Sequence, residues 1–401
     1  MKITAFETIR VAEFANLLWL RVHTSEGIEG LGETFFFPAT VEAYVHEALA
    51  PKLLGRDPRQ IDRISKELCG YLGFRSTGAE TRAASALDIA LWDLLGKTTG
   101  EPIAQLLGGF SREKIRTYNT CAGTAYMREN IGQSTANWGL KAKEPQYDDL
   151  NAFLTRADEL AEDLLGEGIA AMKIWPFDFA AEANDGVDIA SAELKRALEP
   201  FEKIRRAVGD RMEIMVEFHS LWQLLPAIRI ARALAPFDTK WHEDPIKMDS
   251  LASLKRYAEA SPAPICASET LASRWAFRDL FETGAAGVVM LDLSWCGGVS
   301  EAKKIAAMAE AWHLPVAPHD CTGPVVLAAS THLSLNAPNA LIQGSVRAYY
   351  RTWYRDLAQG LPEVEAGFIR VGRKPGHGVE LNPDLAKRFK VETRTTRLDD
   401  L

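Results

Sequence analysis

Three glutamates stand at equal spacing near the middle of the chain. They lie 26 residues apart, each at the end of a short apolar run: Glu217 in IMVEFH, Glu243 in WHEDPI and Glu269 in ICASET. A strand, a helix and their two connections occupy about that many residues in a βα repeat. Adjacent parallel strands would therefore bring three carboxylates to one place. Oxygen ligands in such a group favour a hard divalent cation, and we predict Mg²⁺, one ion per subunit.

Two histidines and an aspartate also lie at or near the ends of predicted strands. His219 follows Glu217 by two residues, and Asp292 and His319 end two later runs that lie 27 residues apart. An aspartate beside a histidine fixes the imidazole tautomer and raises its basicity, so Asp292 and His319 are predicted to form a catalytic pair. A lone histidine is more often structural, but the position of His219 beside a proposed metal ligand favours a role in the site.

Other polar residues near the same strand ends are candidate substrate contacts. Lys173 would hold a substrate carboxylate if it faces a pocket of acids; the alternative is a solvated charge at a strand end. Trp175, two residues later, is expected either to pack in the core or to form an apolar wall of the pocket. Asp320, directly after His319, could contact substrate hydroxyls.

The elements that position these residues alternate between strand and helix from Lys114 onward. Eight strand-like runs with intervening helical stretches predict a TIM-type β/α barrel over residues 113–347. The runs are IRTYNTCAG, GIAAMKIW, EIMVEF, TKWHED, APICASE, GVVMLDL, LPVAPHD and ALIQGS. Residues 1–112 combine short strands with helices and predict an α+β domain. The tail, 348–401, is expected to return to that first domain.

One segment interrupts the rhythm. Residues 123–150 separate the first barrel strand from its helix and are long for a βα loop. At the carboxyl face of a barrel such an insertion would overhang the active site. A lid over the site, with Tyr126, Trp138 and Lys143 as candidate contacts, and a surface excursion or oligomer contact are both open.

Bulk composition narrows the function classes. The chain has 401 residues, 47% hydrophobic and 25% charged, as expected of a soluble globular enzyme. Its formal net charge of −8 argues against nucleic acid or an anionic membrane as a partner. The five cysteines form no CxxC pair and indicate neither a disulfide framework nor a zinc ribbon, so a reducing, cytoplasmic location is expected.

The chain resembles the enolase superfamily, in its mandelate racemase branch and among the galactonate-type and mannonate-type acid-sugar dehydratases. The resemblance rests on the Glu-Glu-Glu-Asp-His series and on SALDIALWDLLGKTTGEPIAQLLGG at residues 85–109. It implies an α/β fold: a modified TIM barrel of (β/α)7β type, with an α+β N-terminal capping domain that the C-terminal tail completes. It also implies a homo-oligomer that acts on a small hydroxy-carboxylate.

The resemblance further implies dehydration of a sugar acid. His319, supported by Asp292, would remove the α-proton, and His219 would protonate the departing β-hydroxyl, which leaves a 2-keto-3-deoxy acid. Mg²⁺ would stabilise the enediolate formed between these steps. An epimerase, racemase or cycloisomerase acting through the same enediolate is an alternative, with His219 as its second base. A non-catalytic protein on the same scaffold is another.

Three positions depart from the pattern of that branch. The first metal ligand is usually Asp, but here it is Glu217. The second lysine of a Lys-x-Lys motif is replaced by Trp175, which cannot take a proton, so racemisation by Lys and His is disfavoured. The eighth strand usually presents a glutamate to the substrate carboxylate, but Gly344 aligns there. That contact is missing, or it comes from Lys173, Arg347 or the inserted segment.

In this family, loops of the capping domain recognise the distal end of the substrate. The corresponding loops here are residues 12–17 and 71–77. Phe14, Phe74 and Arg75 are the candidate contacts, and exposed loop residues without a partner are the alternative.

Overall fold

The computed structural model describes residues 1–68, 77–141 and 147–400. Its strands in chain order are β1 (Ile3–Val11), β2 (Leu17–Thr24), β3 (Glu29–Phe35), β4 (Ile115–Thr120), β5 (Ala171–Ile174), β6 (Glu213–Glu217), β7 (Trp241–Glu243), β8 (Ile265–Ala267), β9 (Ala286–Val289), β10 (Gln343–Ser345), β11 (Ala358–Gln359), β12 (Glu363–Glu365), β13 (Phe368–Arg370), β14 (Glu380–Leu381) and β15 (Val391–Arg397).

The helices surround the barrel and cover the N-terminal sheet. In chain order they are α1 (Pro38–Tyr44), α2 (Ala50–Leu53), α3 (Ile61–Leu68), α4 (Ala79–Thr99), α5 (Ile103–Leu106), α6 (Asp149–Thr155), α7 (Ala157–Gly166), α8 (Asp178–Asn184), α9 (Ser191–Val208), α10 (Leu224–Leu234), α11 (Leu251–Ala260), α12 (Ser273–Thr283), α13 (Gly298–Ala311), α14 (Pro324–Asn336), α15 (Arg347–Tyr350), α16 (Trp353–Leu357) and α17 (Leu385–Arg388). None of the helices in the described part of the chain combines the length and apolar character needed to cross a membrane.

The N-terminal unit is an antiparallel sheet with the order β15-β1-β2-β3. Helix α4 packs closely against β3 because two glycines remove the side chains that would hold it away. A Cβ at Gly32 would lie 1.8 Å from the carbonyl oxygen of Ala86, and one at Gly30 would lie 2.1 Å from that of Ala90. The strand can therefore approach the helix backbone directly. Strand β15 joins β1 from the far end of the chain, so the tail completes this sheet.

The barrel is built from parallel strands in sequential order. Strands β4 to β9 pair each with the next, and β10 pairs back to β4. Between β9 and β10 the seventh position is reduced to isolated bridges at Val316, which pairs with Val289 and with Ala340. The interior holds a buried layer that includes Tyr118 and Trp241, whose rings meet edge to face. The carboxyl ends of the strands therefore surround one mouth above a filled core.

The predicted fold class, including completion of the capping domain by the tail, is confirmed. Two local irregularities interrupt the helices. Helices α6 and α7 are separate because Arg156 between them has a φ of −140°, which is outside the helical region. A π-helical turn, Val45–Leu49, separates α1 from α2. The exact domain boundaries after residues 112 and 347 remain our proposal.

Candidate active site

Three carboxylates converge at the mouth of the barrel. Glu217 ends β6, Glu243 ends β7, and Glu269 follows β8 by two residues. The first two lie opposite each other in the register of β6 and β7. Each residue offers one carboxylate oxygen within 4.8 Å of the others. Glu217 and Glu243 are fully buried, and Glu269 is partly exposed.

A single lysine partly compensates this charge. The Nζ atom of Lys173 lies 2.9 Å from Oε2 of Glu217 and also contacts Oε1 of Glu243. Burial alone would lower the pKa of Lys173, but these two carboxylates outweigh it, so its pKa is raised and the ammonium persists. From below, Nε1 of Trp241 donates a hydrogen bond of 3.1 Å to Oε2 of Glu243.

The donor set fits a divalent cation. Burial, first, and the neighbouring Glu217 carboxylate raise the pKa of Glu243. Three carboxylates beside one ammonium leave an excess of negative charge in a buried place, which is costly unless a cation balances it. The available ligand atoms are all oxygen, as hard divalent cations prefer.

On one side of the cluster stands a histidine–aspartate pair. Asp292 Oδ2 lies 2.7 Å from Nδ1 of His319, and Nε2 of His319 faces the cluster, 3.0 Å from Oε2 of Glu269. Burial would lower the pKa of His319, but Glu269 and Asp292 raise it above its ordinary value. The indole of Trp295 stacks on the imidazole, with ring centroids 5.5 Å apart. The pair predicted from spacing is therefore present as a contact.

A second histidine–aspartate pair lies across the mouth, and its aspartate was missed by the sequence analysis. Oδ2 of Asp178, the first residue of α8, is 2.6 Å from Nδ1 of His219. Burial would lower the pKa of His219, but Asp178 and Glu217 raise it to about 9. The available signal was the position of Asp178 in KIWPFD, directly after a strand end and beside the strand of His219.

The histidines of the two pairs, His219 and His319, line one pocket. Its walls include the aromatic side chains of Phe35, Phe36, Tyr126, Trp175 and Trp295. Lys173, His219, Glu269 and His319 reach into it from the barrel. The predicted position of Trp175 on the pocket wall thus agrees with this lining, and its buried Nε1 has no hydrogen-bond partner within the described part of the chain.

The inserted segment lies over this pocket. Tyr126 and Trp138 are both buried, with ring centroids 5.6 Å and 6.4 Å from that of Trp175. The segment is also tied to the capping domain, since Nδ2 of Asn16 donates to the carbonyl oxygen of Met127 at 2.7 Å. Lys143 lies outside the described residues.

Arg347, predicted as a substrate contact, requires correction. Its guanidinium forms a two-pronged contact with Asp149, with Nη2 2.7 Å from Oδ1 and Nε 3.1 Å from Oδ2. Its Nη1 contacts Glu167 at 3.0 Å and Asp163 at 2.5 Å. These three carboxylates use the donors of the side chain and hold it away from the pocket lining. Arg347 therefore joins the barrel strands to the surrounding helices.

Two further predicted contacts also lie away from the pocket lining. Phe14 is buried, because the capping loop that carries it packs against the tail. Its ring centroid lies 4.8 Å from that of Trp353. Asp320 is buried behind His319, where Oδ1 accepts a hydrogen bond of 3.2 Å from the hydroxyl of Tyr354. Phe74 and Arg75 lie outside the described residues.

A capping domain on a β/α barrel, with acidic residues at successive strand ends, defines the enolase-type class. Comparison with known families agrees: residues 3–108 match the mandelate racemase/muconate lactonizing enzyme N-terminal domain, and residues 156–385 match the enolase C-terminal domain-like family. The chain belongs to the enolase superfamily, in its mandelate racemase/muconate lactonizing enzyme branch, and the predicted resemblance is confirmed.

Relatives are similar along nearly the whole chain. A protein of Ralstonia nicotianae named D-galactonate dehydratase is 31% identical over 396 residues, covering 96% of this chain and 93% of its own. Its namesake in Xanthomonas campestris is 32% identical, with 97% and 94% covered. A solved enolase of the mandelate racemase subgroup from Agrobacterium tumefaciens is 64% identical, with a TM-score of 0.89 and full coverage of both chains. A Sargasso Sea enolase structure is 43% identical, with a TM-score of 0.87 and 99% of both chains covered.

Proposed function

We propose that this protein is a hydro-lyase that dehydrates a sugar acid, an aldonate or a related hydroxy acid, to a 2-keto-3-deoxy acid with Mg²⁺ as its cofactor. One observation carries the proposal: His219 and His319 follow the third and seventh of eight barrel positions and enter one pocket beside the carboxylate cluster. Positions four apart in an eight-stranded barrel face each other across the mouth. A base and an acid can therefore act on opposite sides of one substrate.

The ion would be held by Glu217, Glu243 and Glu269, because one carboxylate oxygen of each lies within 4.8 Å of the others. When bound, Mg²⁺ supplies positive charge that acidifies the α-carbon of a carboxylate substrate and stabilises its enediolate. Lys173 stays protonated beside the cluster and would add a second positive charge at the substrate carboxylate.

The two histidines would divide the proton transfers. His319 would take the α-proton at Nε2, since Nδ1 is engaged by Asp292. His219 would deliver a proton from Nε2 to the departing β-hydroxyl, since Nδ1 is engaged by Asp178 and its raised pKa favours the protonated form. Trp175, near both, provides a wall that cannot exchange protons. The aromatic side chains that line the pocket would limit the entry of water.

Epimerisation at the α-carbon is a second candidate. The observation that favours it is the same placement of two imidazoles on opposite sides, because a proton removed by one could be returned by the other. It would require His219 to act as a second base, whereas relatives similar along nearly the whole chain are named D-galactonate dehydratase. Dehydration is therefore the better-supported reaction. A homo-oligomer and a cytoplasmic location remain predictions.

Incubation with Mg²⁺ and a panel of aldonates in D₂O tests the proposal. D-galactonate heads the panel because relatives bear that name. We expect a 2-keto-3-deoxy acid from at least one compound, detected as its semicarbazone and by NMR, and loss of turnover when EDTA removes the metal. Deuterium at an α-carbon of inverted configuration, without loss of water, would instead indicate epimerisation. No product and no exchange with any compound, in protein that fails to bind Mg²⁺, would overturn both candidates.

A further inference from the structure

The eighth barrel strand leaves one side of the pocket without a donor. At Gly344 in β10, a Cβ would lie 2.8 Å from the hydroxyl oxygen of Tyr118 and 3.1 Å from the carbonyl oxygen of Pro318. Those atoms already fill the space that a side chain would need. The neighbouring Ser345 is engaged internally, since its Oγ lies 2.8 Å from the hydroxyl oxygen of Thr117. A hydrogen bond to the substrate on this side must therefore come from another strand.

Thr120 stands at the end of β4, the strand between β10 and β5. It pairs in register with Lys173 and lines the same pocket. Its side chain is only 3% exposed, and its hydroxyl has no hydrogen-bond partner among the described residues. An unpartnered buried hydroxyl carries a desolvation cost that a ligand's oxygen would relieve.

We propose that the Thr120 hydroxyl donates a hydrogen bond to the substrate carboxylate, on the side that Gly344 leaves open. The proposal rests on the proposed function for the nature of the substrate. Around the mouth the order of strands is β10, β4, β5, β6, so Thr120 stands between Gly344 and Lys173. Thr120 lies opposite Lys173 in the register of β4 and β5, so a carboxylate that contacts Lys173 would be within reach of the Thr120 side of the pocket.

This donor differs in kind from a carboxyl group at strand eight. A hydroxyl is neutral at every working pH, so it adds direction without adding negative charge to a site that already holds three carboxylates. Thr120 would recognise the carboxylate, and the proposed function adds an α-hydroxyl, so the ligand class is an α-hydroxy carboxylate whatever the length of the rest of the molecule. Glycolate, which has only the carboxylate and the α-hydroxyl, is therefore a sufficient probe.

Two substitutions separate binding from folding. Thr120→Val keeps the shape of the side chain and removes its hydroxyl, whereas Thr120→Ser keeps a hydroxyl. The matched control is Thr117→Val on the same strand, because the Thr117 hydroxyl donates to the carbonyl oxygen of Gln343 at 2.7 Å and lies outside the pocket lining.

Calorimetric titration of glycolate into each Mg²⁺-loaded protein is the measurement, with the melting temperature recorded for each. We expect Thr120→Val to weaken glycolate binding about 10-fold or more, since hydrogen bonds to charged groups are the stronger kind. Its melting temperature should not fall, because the lost hydroxyl has no partner to lose. Thr120→Ser should retain binding. Thr117→Val should melt earlier and bind normally.

Equal glycolate affinity in wild type and Thr120→Val would overturn the inference, as would absence of glycolate binding by the wild type. Where an aldonate is turned over, the KM of Thr120→Val should rise more than its kcat falls. If no aldonate is dehydrated but Thr120→Val still loses affinity for glycolate, the carboxylate contact stands and the proposed dehydration fails. The two failures are thus distinguishable.

Discussion

His319 and His219 each present Nδ1 to a buried aspartate, but the second oxygens of those aspartates have different surroundings. Oδ1 of Asp292 accepts hydrogen bonds from the backbone N–H of Ser294, at 2.7 Å, and from its hydroxyl. Oδ1 of Asp178 is buried with no partner among the described residues. One carboxylate is held at both oxygens, and the other acts on its histidine alone.

The imidazole rings of His319 and His219 also differ in how they pack on a neighbouring indole. His319 lies flat against Trp295, with an interplanar angle of 30°, whereas His219 meets Trp175 edge to face at 75°. The His319 ring is held by stacking on Trp295 and by Asp292, whose two oxygens are both engaged. Such a fixed ring suits a base that must reach a carbon-bound proton at one position. Among the described residues, the Asp178 carboxylate forms a hydrogen bond with His219 alone, which suits an acid that must remain protonated until the hydroxyl leaves. Two pairs of identical residue types are thus suited to opposite tasks by what surrounds them.

Removal of each imidazole should give the largest difference between the two histidine–aspartate pairs. His319→Asn should lower both α-proton exchange in D₂O and dehydration by about 10²- to 10⁴-fold, the range for general acid–base groups. His219→Asn should lower dehydration comparably but retain exchange, because the α-proton is removed at the other side. NMR of the α-position and a keto-acid assay measure the two rates. Equal loss of exchange in both variants would refute the division of roles.

The aspartates should show a smaller contrast. Asp292→Asn should reduce exchange and dehydration together, because the amide disturbs the tautomer and orientation of the base. Asp178→Asn should reduce dehydration by about 10-fold, within what an orienting partner contributes, and should raise the ratio of exchange to dehydration. Circular dichroism provides the folding control. An unchanged ratio in Asp178→Asn would mean that Asp178 is only structural.

A third buried histidine shows what burial does without a carboxylate contact. Nδ1 of His332 accepts from the N–H of Ala104 at 3.3 Å, and Nε2 lies 3.4 Å from the carbonyl oxygen of His377. Burial and His377 lower the pKa of His332 to about 3, the opposite direction from the two pocket histidines. The folded state therefore favours its neutral form, and that stabilisation is present above the ordinary histidine pKa of about 6.5 and declines as the pH falls below it.

The lowered pKa of His332 predicts a small but measurable dependence of stability on pH. The free energy of unfolding, from urea titrations at pH 7.5, 6.5 and 5.5, should fall more steeply in wild type than in His332→Asn. The excess should not be greater than about 1.4 kcal/mol per pH unit, the limit for one proton. Asparagine keeps an acceptor near the Nδ1 position for the Ala104 N–H. Identical slopes would show that His332 does not titrate differently on unfolding.

The sequence was sufficient for features that follow from chain periodicity. Glu217, Glu243 and Glu269 meet because parallel strands repeat at one spacing and share a carboxyl edge. The contact between Asp292 and His319 follows from the same repeat. The fold class could be predicted for this reason, since each strand and helix carries its own hydrophobic pattern.

Contacts that depend on local turns or on distant helices could not be predicted. Asp178 reaches His219 because the chain turns after β5 and because His219 adopts a positive φ of 50°, neither of which residue spacing specifies. The position of Arg347 depends on Asp149 and Asp163, which lie 198 and 184 residues earlier in the chain. Arg347 was predicted to contact substrate because its carboxylate partners lie so far away in the sequence.

The pairing of β15 with β1 also has a consequence for synthesis of the chain. Thr8 faces Arg394 in that pairing, so β1 emerges from the ribosome long before its partner exists. During translation of the barrel, β1 is a free sheet edge, and such edges invite pairing with other chains. A chain truncated before residue 391 should therefore associate through β1 more readily than one that contains β15, which size-exclusion chromatography would detect. Pairing with β15 covers that edge.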